Sequence, residues 1–393
     1  MATKKLLKPI RDDFLVFGSP RIEEDEIHEV VASLRSGWLG TGPKVARFEH
    51  DFAKYKGIRN TNVAAVNSCT AALHISMIAA GIKPGDEVIT TPMTFCATVN
   101  AIIHSGATPV LADIDRNSLN IDPERIEAAI TPKTKAILPV HFAGRPCDMD
   151  AITAIAGRHG LKVIEDCAHA IETEYKGKKA GTMGNFGCFS FYVTKNIVTG
   201  EGGMVIARDL KDIERIKVLA LHGMSKDAWK RFSDEGYKHY QVTECGFKYN
   251  MMDLQAAIGI HQLNKVENYW QIRHTIWSRY LEEFGNSEIV LPSPSEHNTK
   301  HGLHLFTILI DEGRCGISRD TFLDGMTKQN IGIGVHYLSI AEHPYYQDHF
   351  GWRPEDYPVA MTVGRQTVSL PLSPALTDQD VVDVIEAVKN LVC

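Results

Sequence analysis

The chain has 393 residues, 44% of them hydrophobic and 23% charged, with a net charge of −6. That length allows more than one domain, and that balance belongs to a globular protein, which excludes a disordered chain. Negative charge without a long basic block excludes nucleic acid as the main partner but leaves room for a local pocket for a phosphorylated ligand. No apolar run approaches the roughly 20 residues of a membrane helix, and the N-terminal residues lack a leader-like apolar stretch. Eight scattered cysteines with no C-x-x-C pair read as reduced thiols of a cytoplasmic protein, neither a disulfide frame nor a metal-ligand set.

Residues 1–35 are expected to form an N-terminal arm. From about 61 to 265, short apolar runs alternate with helical patterns: a strand over 62–66, a helix over 68–80 stopped by Gly81, and a strand over 87–90 after the turn Pro84-Gly85-Asp86. A helix over 94–105 ends at Gly106, strands follow over 109–112 and 135–140, then a helix over 149–159 and a buried strand over 161–166. Repeated units of this kind call for an α/β fold with a mainly parallel sheet covered on both faces, here the large domain 36–265. A long helical pattern from 266 to about 290 is expected to link it to a smaller α+β domain. That domain carries strands over 303–310 and 368–371 and a closing helix over 378–391, so that 266–393 forms the second unit.

Lys195 is the residue that points to chemistry. The run Phe189-Ser190-Phe191-Tyr192-Val193 reads as an apolar strand that hands Thr194 and Lys195 to a loop, and Gly200-Glu201-Gly202-Gly203 follows. Asp166 ends the strand before it. Ligands of parallel sheets gather at the carboxyl ends of the strands. A lysine and an aspartate placed there are what a pyridoxal phosphate enzyme needs, one for the Schiff base and one to keep the pyridine nitrogen protonated. Burial would also lower the lysine pKa toward the free amine. Ser68-Cys69-Thr70 joins a strand to a helix and reads either as an ordinary N-cap or as a phosphate seat, which Ser190 would complete. Phe95, opening the next helix, is either core or a ring that stacks on a flat cofactor. His169 is either bonded to Asp166, packed on the cofactor, or a satisfied buried histidine.

These segments together resemble the DegT/StrS family of sugar aminotransferases. The carriers include the segment 36–43, Asn67-Ser68-Cys69-Thr70, Thr94-Phe95-Cys96, Glu165-Asp166-Cys167-Ala168-His169, Ser190 with Lys195, Gly246-Phe247-Lys248-Tyr249-Asn250, and Ser369-Leu370-Pro371. The resemblance implies fold type I of the pyridoxal phosphate transferases (aspartate aminotransferase-like). It implies Lys195 as the catalytic lysine, Asp166 at the pyridinium, Phe95 over one ring face and His169 beside the cofactor. Cys69, Thr70 and Ser190 would hold the phosphate. Relatives add an asparagine from the partner subunit of a homodimer, and here Lys248 and Asn250 occupy that stretch. Val140-His141-Phe142-Ala143-Gly144 and the segment 222–231 are similar to the branch that aminates C4 of UDP-linked 4-ketosugars, such as the enzyme forming UDP-4-amino-4-deoxy-L-arabinose.

The reaction so implied passes an amino group from glutamate to a ketosugar nucleotide, with Trp38, Arg231, His336 and Tyr337 at the sugar site. Lys226, Lys230 and Arg231 read either as a diphosphate site or as a solvated helix face. Amination at C3 and a non-catalytic regulator on the same fold are the competing readings. Lys195 itself argues against the family's dehydratase branch, which carries histidine there.

Overall fold

A computed structural model describes residues 9–224 and 240–392. The apolar runs of the first half become strands β1 (Val63–Val66), β2 (Glu87–Thr90), β3 (Thr108–Leu111), β4 (Thr134–Leu138) and β5 (Lys162–Asp166). A small hairpin of β6 (Glu174–Tyr175) and β7 (Lys178–Lys179) precedes β8 (Phe186–Ser190) and β9 (Gly203–Ala207). Seven of these strands form one sheet in the order β1-β9-β8-β5-β4-β2-β3. It is parallel except for β9, which runs antiparallel to both β1 and β8.

Strand alternation sends side chains to two buried faces. Ala64, Val66, Ile164 and Val205 pack with the helices Cys69–Ala79 and Leu210–Leu219 on one side. On the other, Val63, Ala65, Phe189 and Ile206 pack with the helix Pro43–Lys56 and with Ala256, Ile260 and Leu263. Both faces being dry explains why β1 and β9 consist wholly of buried residues rather than alternating ones.

The long helix spans Asp253–Phe284, so the expected boundary at 265/266 falls inside it. Its apolar positions keep helical spacing throughout, and nothing in the sequence breaks it. The first half belongs to the core beneath the sheet, whereas Ile276, Tyr280 and Phe284 belong to a second core built around β11 (Phe306–Leu309) and β12 (Thr367–Leu370). Those two strands pair antiparallel and are covered by the helices Arg319–Lys328 and Asp378–Val392. The remaining strand, β10 (Thr299–Lys300), joins the small hairpin through β6. The N-terminal arm is tied to the second unit as well, through Leu15 N–H to the Asn330 carbonyl (2.9 Å) and Gly332 N–H to the Leu15 carbonyl (2.8 Å).

One expectation near Lys195 is corrected. The strand read over 189–193 is β8, which begins at Phe186 and ends at Ser190; past it, Phe191 N–H bonds the Gly202 carbonyl and Lys195 N–H bonds the Tyr192 carbonyl (both 2.9 Å). The chain after the glycine run forms the antiparallel strand β9, between the edge strand β1 and β8. Likewise only Phe306–Leu309 of the expected strand 303–310 is extended, because the chain around Leu303 takes a positive φ of 50°.

The start of the helix Pro43–Lys56 depends on a carboxylate distant in sequence. Asp253, almost fully buried, accepts from the backbone N–H groups of Gly42 (2.8 Å), Lys44 (3.1 Å) and Val45 (3.0 Å). Helix N-termini leave such donors unpaired unless a side chain meets them. Asp253→Ala is therefore expected to cost about 1–3 kcal/mol in denaturant unfolding, and Asp253→Asn less, because one acceptor oxygen remains. An unchanged unfolding midpoint for the alanine variant would contradict this assignment.

Candidate active site

The carboxyl ends of β5 and β8 lie side by side in the sheet, in the register Asp166 opposite Cys188. Asp166 closes β5, and the loop after β8 brings Lys195 back over the same end. A cavity of about 650 Å³ opens there, lined among others by Thr70, Phe95, Asp166, His169, Lys195 and Tyr337. That size is typical of a cofactor or substrate pocket.

Asp166 is 4% exposed. Its two oxygens accept from the Thr98 hydroxyl (2.9 Å) and the Ala168 N–H (3.0 Å), and Thr98 is itself bonded to Thr94 (2.7 Å). Burial nevertheless raises its pKa above the usual carboxylate value, with the Ala168 N–H, the Thr98 hydroxyl and Lys195 pulling the other way. A protonated ring nitrogen facing Asp166 would meet the remaining need for positive charge. Lys195 is half-buried as a residue, but its amine sits in the packed part of the cavity. Burial lowers its pKa to about 8, against the attraction of Cys69 and Asp166.

The anion end of the cavity is the start of the helix Cys69–Ala79. The Ser68 hydroxyl accepts from Ala71 N–H (3.1 Å), and the Ser68 carbonyl accepts from Ala72 N–H (3.0 Å). The N–H groups of Cys69 and Thr70 are thereby left to a ligand at the positive end of the helix. Ser190 and Gly202 line the same end. Gly203 lets β9 lie against this turn: a Cβ there would stand 2.5 Å from the Ser68 carbonyl carbon and 2.8 Å from the Cys69 nitrogen. No other residue fits so close an approach.

Across the cavity stands an aromatic layer. Backbone N–H of Ala143 donates to His169 Nδ1 (3.2 Å), so the neutral ring carries its proton on Nε2 and donates it to the Tyr337 hydroxyl (3.1 Å). The two rings are stacked, with centroids 6.1 Å apart, and His304 packs against His169 at 4.3 Å. Burial, with Lys195 and two other histidines nearby, holds His169 well below the ordinary histidine pKa, so it stays neutral. Phe95 is 58% exposed and reaches over the cavity, 6.0 Å from the Tyr337 ring. It caps the helix Cys96–His104 rather than filling the core.

Lys195, Asp166, Cys69, Thr70, Phe95, His169, Ser190, His336 and Tyr337 are thus brought into one cavity. His169 bonds Tyr337 and Ala143 rather than Asp166. Trp38, Lys248 and Asn250 are not among the residues lining it. They lie near one another instead: Trp38 Nε1 donates to the Thr41 carbonyl (3.2 Å), Asn250 donates to the Thr41 hydroxyl (2.6 Å), and Lys248 donates to Asn250 (2.6 Å). Lys226, Lys230 and Arg231 lie outside the described residues. Sequence reading missed Thr94 and Thr98, which orient Asp166. Thr94 precedes the helix Cys96–His104, and only packing brings Thr98 to Asp166, so no local pattern marks them.

The profile of the DegT/DnrJ/EryC1/StrS aminotransferase family matches residues 20–389. The chain belongs to this family. It is 49% identical over 383 residues to the spore coat polysaccharide biosynthesis protein SpsC of Bacillus subtilis, covering 97% of this chain and 98% of that protein. Among solved structures, Spr1654 of Streptococcus pneumoniae in its PLP-form superposes with a TM-score of 0.88 at 31% identity, over 96% of this chain and 98% of that one. Helicobacter pylori PseC, an aminotransferase involved in the biosynthesis of pseudoaminic acid, gives 0.89 at 28% identity, over 97% and 99%.

The protein is a pyridoxal phosphate-dependent aminotransferase of fold type I. Its own residues fit the cofactor: Lys195 for the aldehyde, Asp166 for the ring nitrogen, and the N–H groups at Cys69 and Thr70 with Ser190 for the phosphate. Among the described residues no helix is long and apolar enough to cross a membrane. A lysine lowered from 10.5 to about 8 presents mostly free amine above that pH and mostly ammonium below it. Covalent uptake of pyridoxal phosphate by the aminotransferase apoenzyme should therefore accelerate as pH rises, with a midpoint near about 8. Stopped-flow absorbance would read it, and a rate that is flat or falls across that range would contradict the assignment.

Proposed function

We propose that this aminotransferase moves an amino group from glutamate to C4 of a UDP-linked 4-ketosugar, producing an aminosugar nucleotide for a surface polysaccharide or for lipid A modification. The observation that carries the reading is the placing of the Lys195 amine in one cavity with Asp166, the helix N-terminus and the Tyr337–His169 layer. The sugar part draws on the relatives, one named for spore coat polysaccharide biosynthesis and one for pseudoaminic acid biosynthesis.

Bound pyridoxal phosphate supplies an electron sink for the carbon that gains or loses the amino group. Asp166 holds a proton at the ring nitrogen, and Thr98 and Ala168 keep that carboxylate aimed. The Lys195 amine, when not bonded to the cofactor, would take the proton from the donor's α-carbon and deliver it to the carbon that had been the cofactor's aldehyde; the acceptor half-reaction would run the same transfer in reverse. Tyr337, accepting from His169, has its own proton to donate into the cavity. His336, anchored to the Ser369 hydroxyl (3.0 Å) and held at a pKa of about 4 by burial and Lys195, stands as a neutral hydrogen-bonding group for the sugar. Phe95 closes one face against water.

Trp38, Lys248 and Asn250 lie outside the cavity of their own chain, and Trp38, Leu39, Val242 and Met252 are exposed. This supports a homodimer in which a second copy brings Asn250 or Lys248 to the phosphate and Trp38 to the sugar. The segment with Arg231 would serve the diphosphate.

Lys195→Ala should lower turnover by at least about 10³-fold while leaving the unfolding midpoint near that of the parent. Borohydride trapping should place the cofactor label on the peptide containing residue 195, and a label elsewhere would refute the role. For the substrate, the amine-loaded enzyme is offered UDP-, dTDP- and GDP-linked ketosugars. Recovery of the aldehyde spectrum only with UDP-4-ketosugars supports the reading, and recovery with a 3-ketosugar alone sinks it. Sedimentation should give a dimer, and a fully active monomer would overturn the shared site.

A further inference from the structure

Asn196 follows Lys195 directly, and both ends of its side-chain amide are engaged. Nδ2 donates to Glu172 (2.7 Å) and to the Gly302 carbonyl (2.8 Å), and Oδ1 meets His304 Nδ1 at 2.9 Å. A backbone carbonyl only accepts, so the amide atom facing Gly302 is the nitrogen and the one facing His304 is the oxygen. His304 must therefore carry a proton on Nδ1. Burial, with Lys195 and other cationic groups nearby, holds His304 well below the ordinary histidine pKa, so the neutral ring spends its single N–H on Asn196. The two residues are 8% and 7% exposed, and neither is among those lining the active-site cavity.

His304 also reaches the opposite wall of that cavity from behind. Its backbone N–H donates to the Ala143 carbonyl (3.0 Å), and Ala143 N–H donates in turn to His169 Nδ1 (3.2 Å). Gly302 N–H bonds the next carbonyl, that of Gly144 (2.8 Å). The His304 ring packs on the His169 ring with centroids 4.3 Å apart. One residue thus ties the loop of Lys195 to the histidine that bonds Tyr337. Removing either partner of the Asn196–His304 bond leaves a buried polar atom unmet, so the arrangement holds only as a whole.

We propose that Asn196 and His304 act as one positioning unit for Lys195, keeping its amine buried and fixed relative to the His169–Tyr337 layer. Neither residue touches the reacting atoms. The inference rests on Lys195 being the lysine that takes the cofactor, and is independent of which sugar is aminated.

The test is the pH dependence of pyridoxal phosphate uptake by the full-length chain, followed by stopped-flow absorbance in the parent and four variants. A lysine freed to meet water regains its ammonium form. Asn196→Ala and His304→Phe should therefore each raise the uptake midpoint from about 8 by at least about one pH unit. Neither change touches Cys69 or Asp166, the groups that attract the ammonium. The double variant should shift no further than the larger single one, because the two side chains share one hydrogen bond. His304→Asn puts an amide N–H where Nδ1 stands and should keep the parent midpoint.

Thermal unfolding falls with the loss of any buried contact, so it serves only to show that each variant is folded. A parent-like uptake midpoint in Asn196→Ala overturns the proposal, as does a double shift equal to the sum of the singles. So does a His304→Asn midpoint displaced as far as that of His304→Phe. If His304→Phe does not fold, Asn196→Ala against His304→Asn decides, separated midpoints supporting the unit and equal ones refuting it. Borohydride label at residue 195 with unmoved midpoints would refute this inference alone, whereas label elsewhere would refute the role of the lysine itself.

Discussion

Everything at the active site follows from putting a carboxylate and an amine into an environment that disfavours both charges. Asp166 and Lys195 sit at adjoining strand ends, and burial pushes the acid's pKa up and the base's down. An isolated buried charge would be expelled or neutralised. Here the Thr98 hydroxyl and Ala168 N–H stabilise the carboxylate, while burial shifts Lys195 toward its neutral amine. The pair is poised for a cofactor that is cationic at one end, an aldehyde at another and a dianion at the third.

The residue before Asp166 shows how the sheet supports this arrangement. Successive strand residues face opposite ways, so Glu165 points away from the cavity. It accepts from Gly181 (2.8 Å), Met183 (2.8 Å) and Gly184 (2.6 Å) N–H groups and pairs with His141 (3.0 Å). Burial would raise its pKa, but His141 and these N–H groups outweigh that and hold it low. Glu165 therefore organises the turn before β8, and its neighbour Asp166 lines the cavity. A second buried network, Arg273 to Glu172 to Asn196 to His304, runs behind the lysine loop and ends against the ring of His169. The loop bearing Lys195 is thus held from behind as well as from the cavity side.

Much of this was legible in the residues. Both strand ends, the helix start at Ser68 and the glycine run stand out because apolar runs, caps and glycines are local signals. Residues flagged for chemistry (Lys195, Asp166, Ser190, Phe95) do converge on one cavity. The antiparallel sense of β9 was not legible, because the apolar content of a strand carries no direction. The reach of the long helix was misjudged for a related reason: its two halves serve different cores, while its spacing is uniform.

The order of residue types along the chain determined the fold class and the family and singled out Lys195, since each depends on near neighbours in sequence. Tertiary structure alone decided that Tyr337 bonds His169 across 168 residues, that Thr98 aims Asp166 across 68, and that Asp253 caps a helix some 208 residues before it. These are contacts between segments brought together only by packing of the cores, and no periodicity or spacing along the chain encodes them. The same holds for Trp38, Lys248 and Asn250, which cluster around Thr41 away from their own cavity. Their grouping comes from the turn before the long helix docking on the segment around Thr41, a distance no local pattern measures.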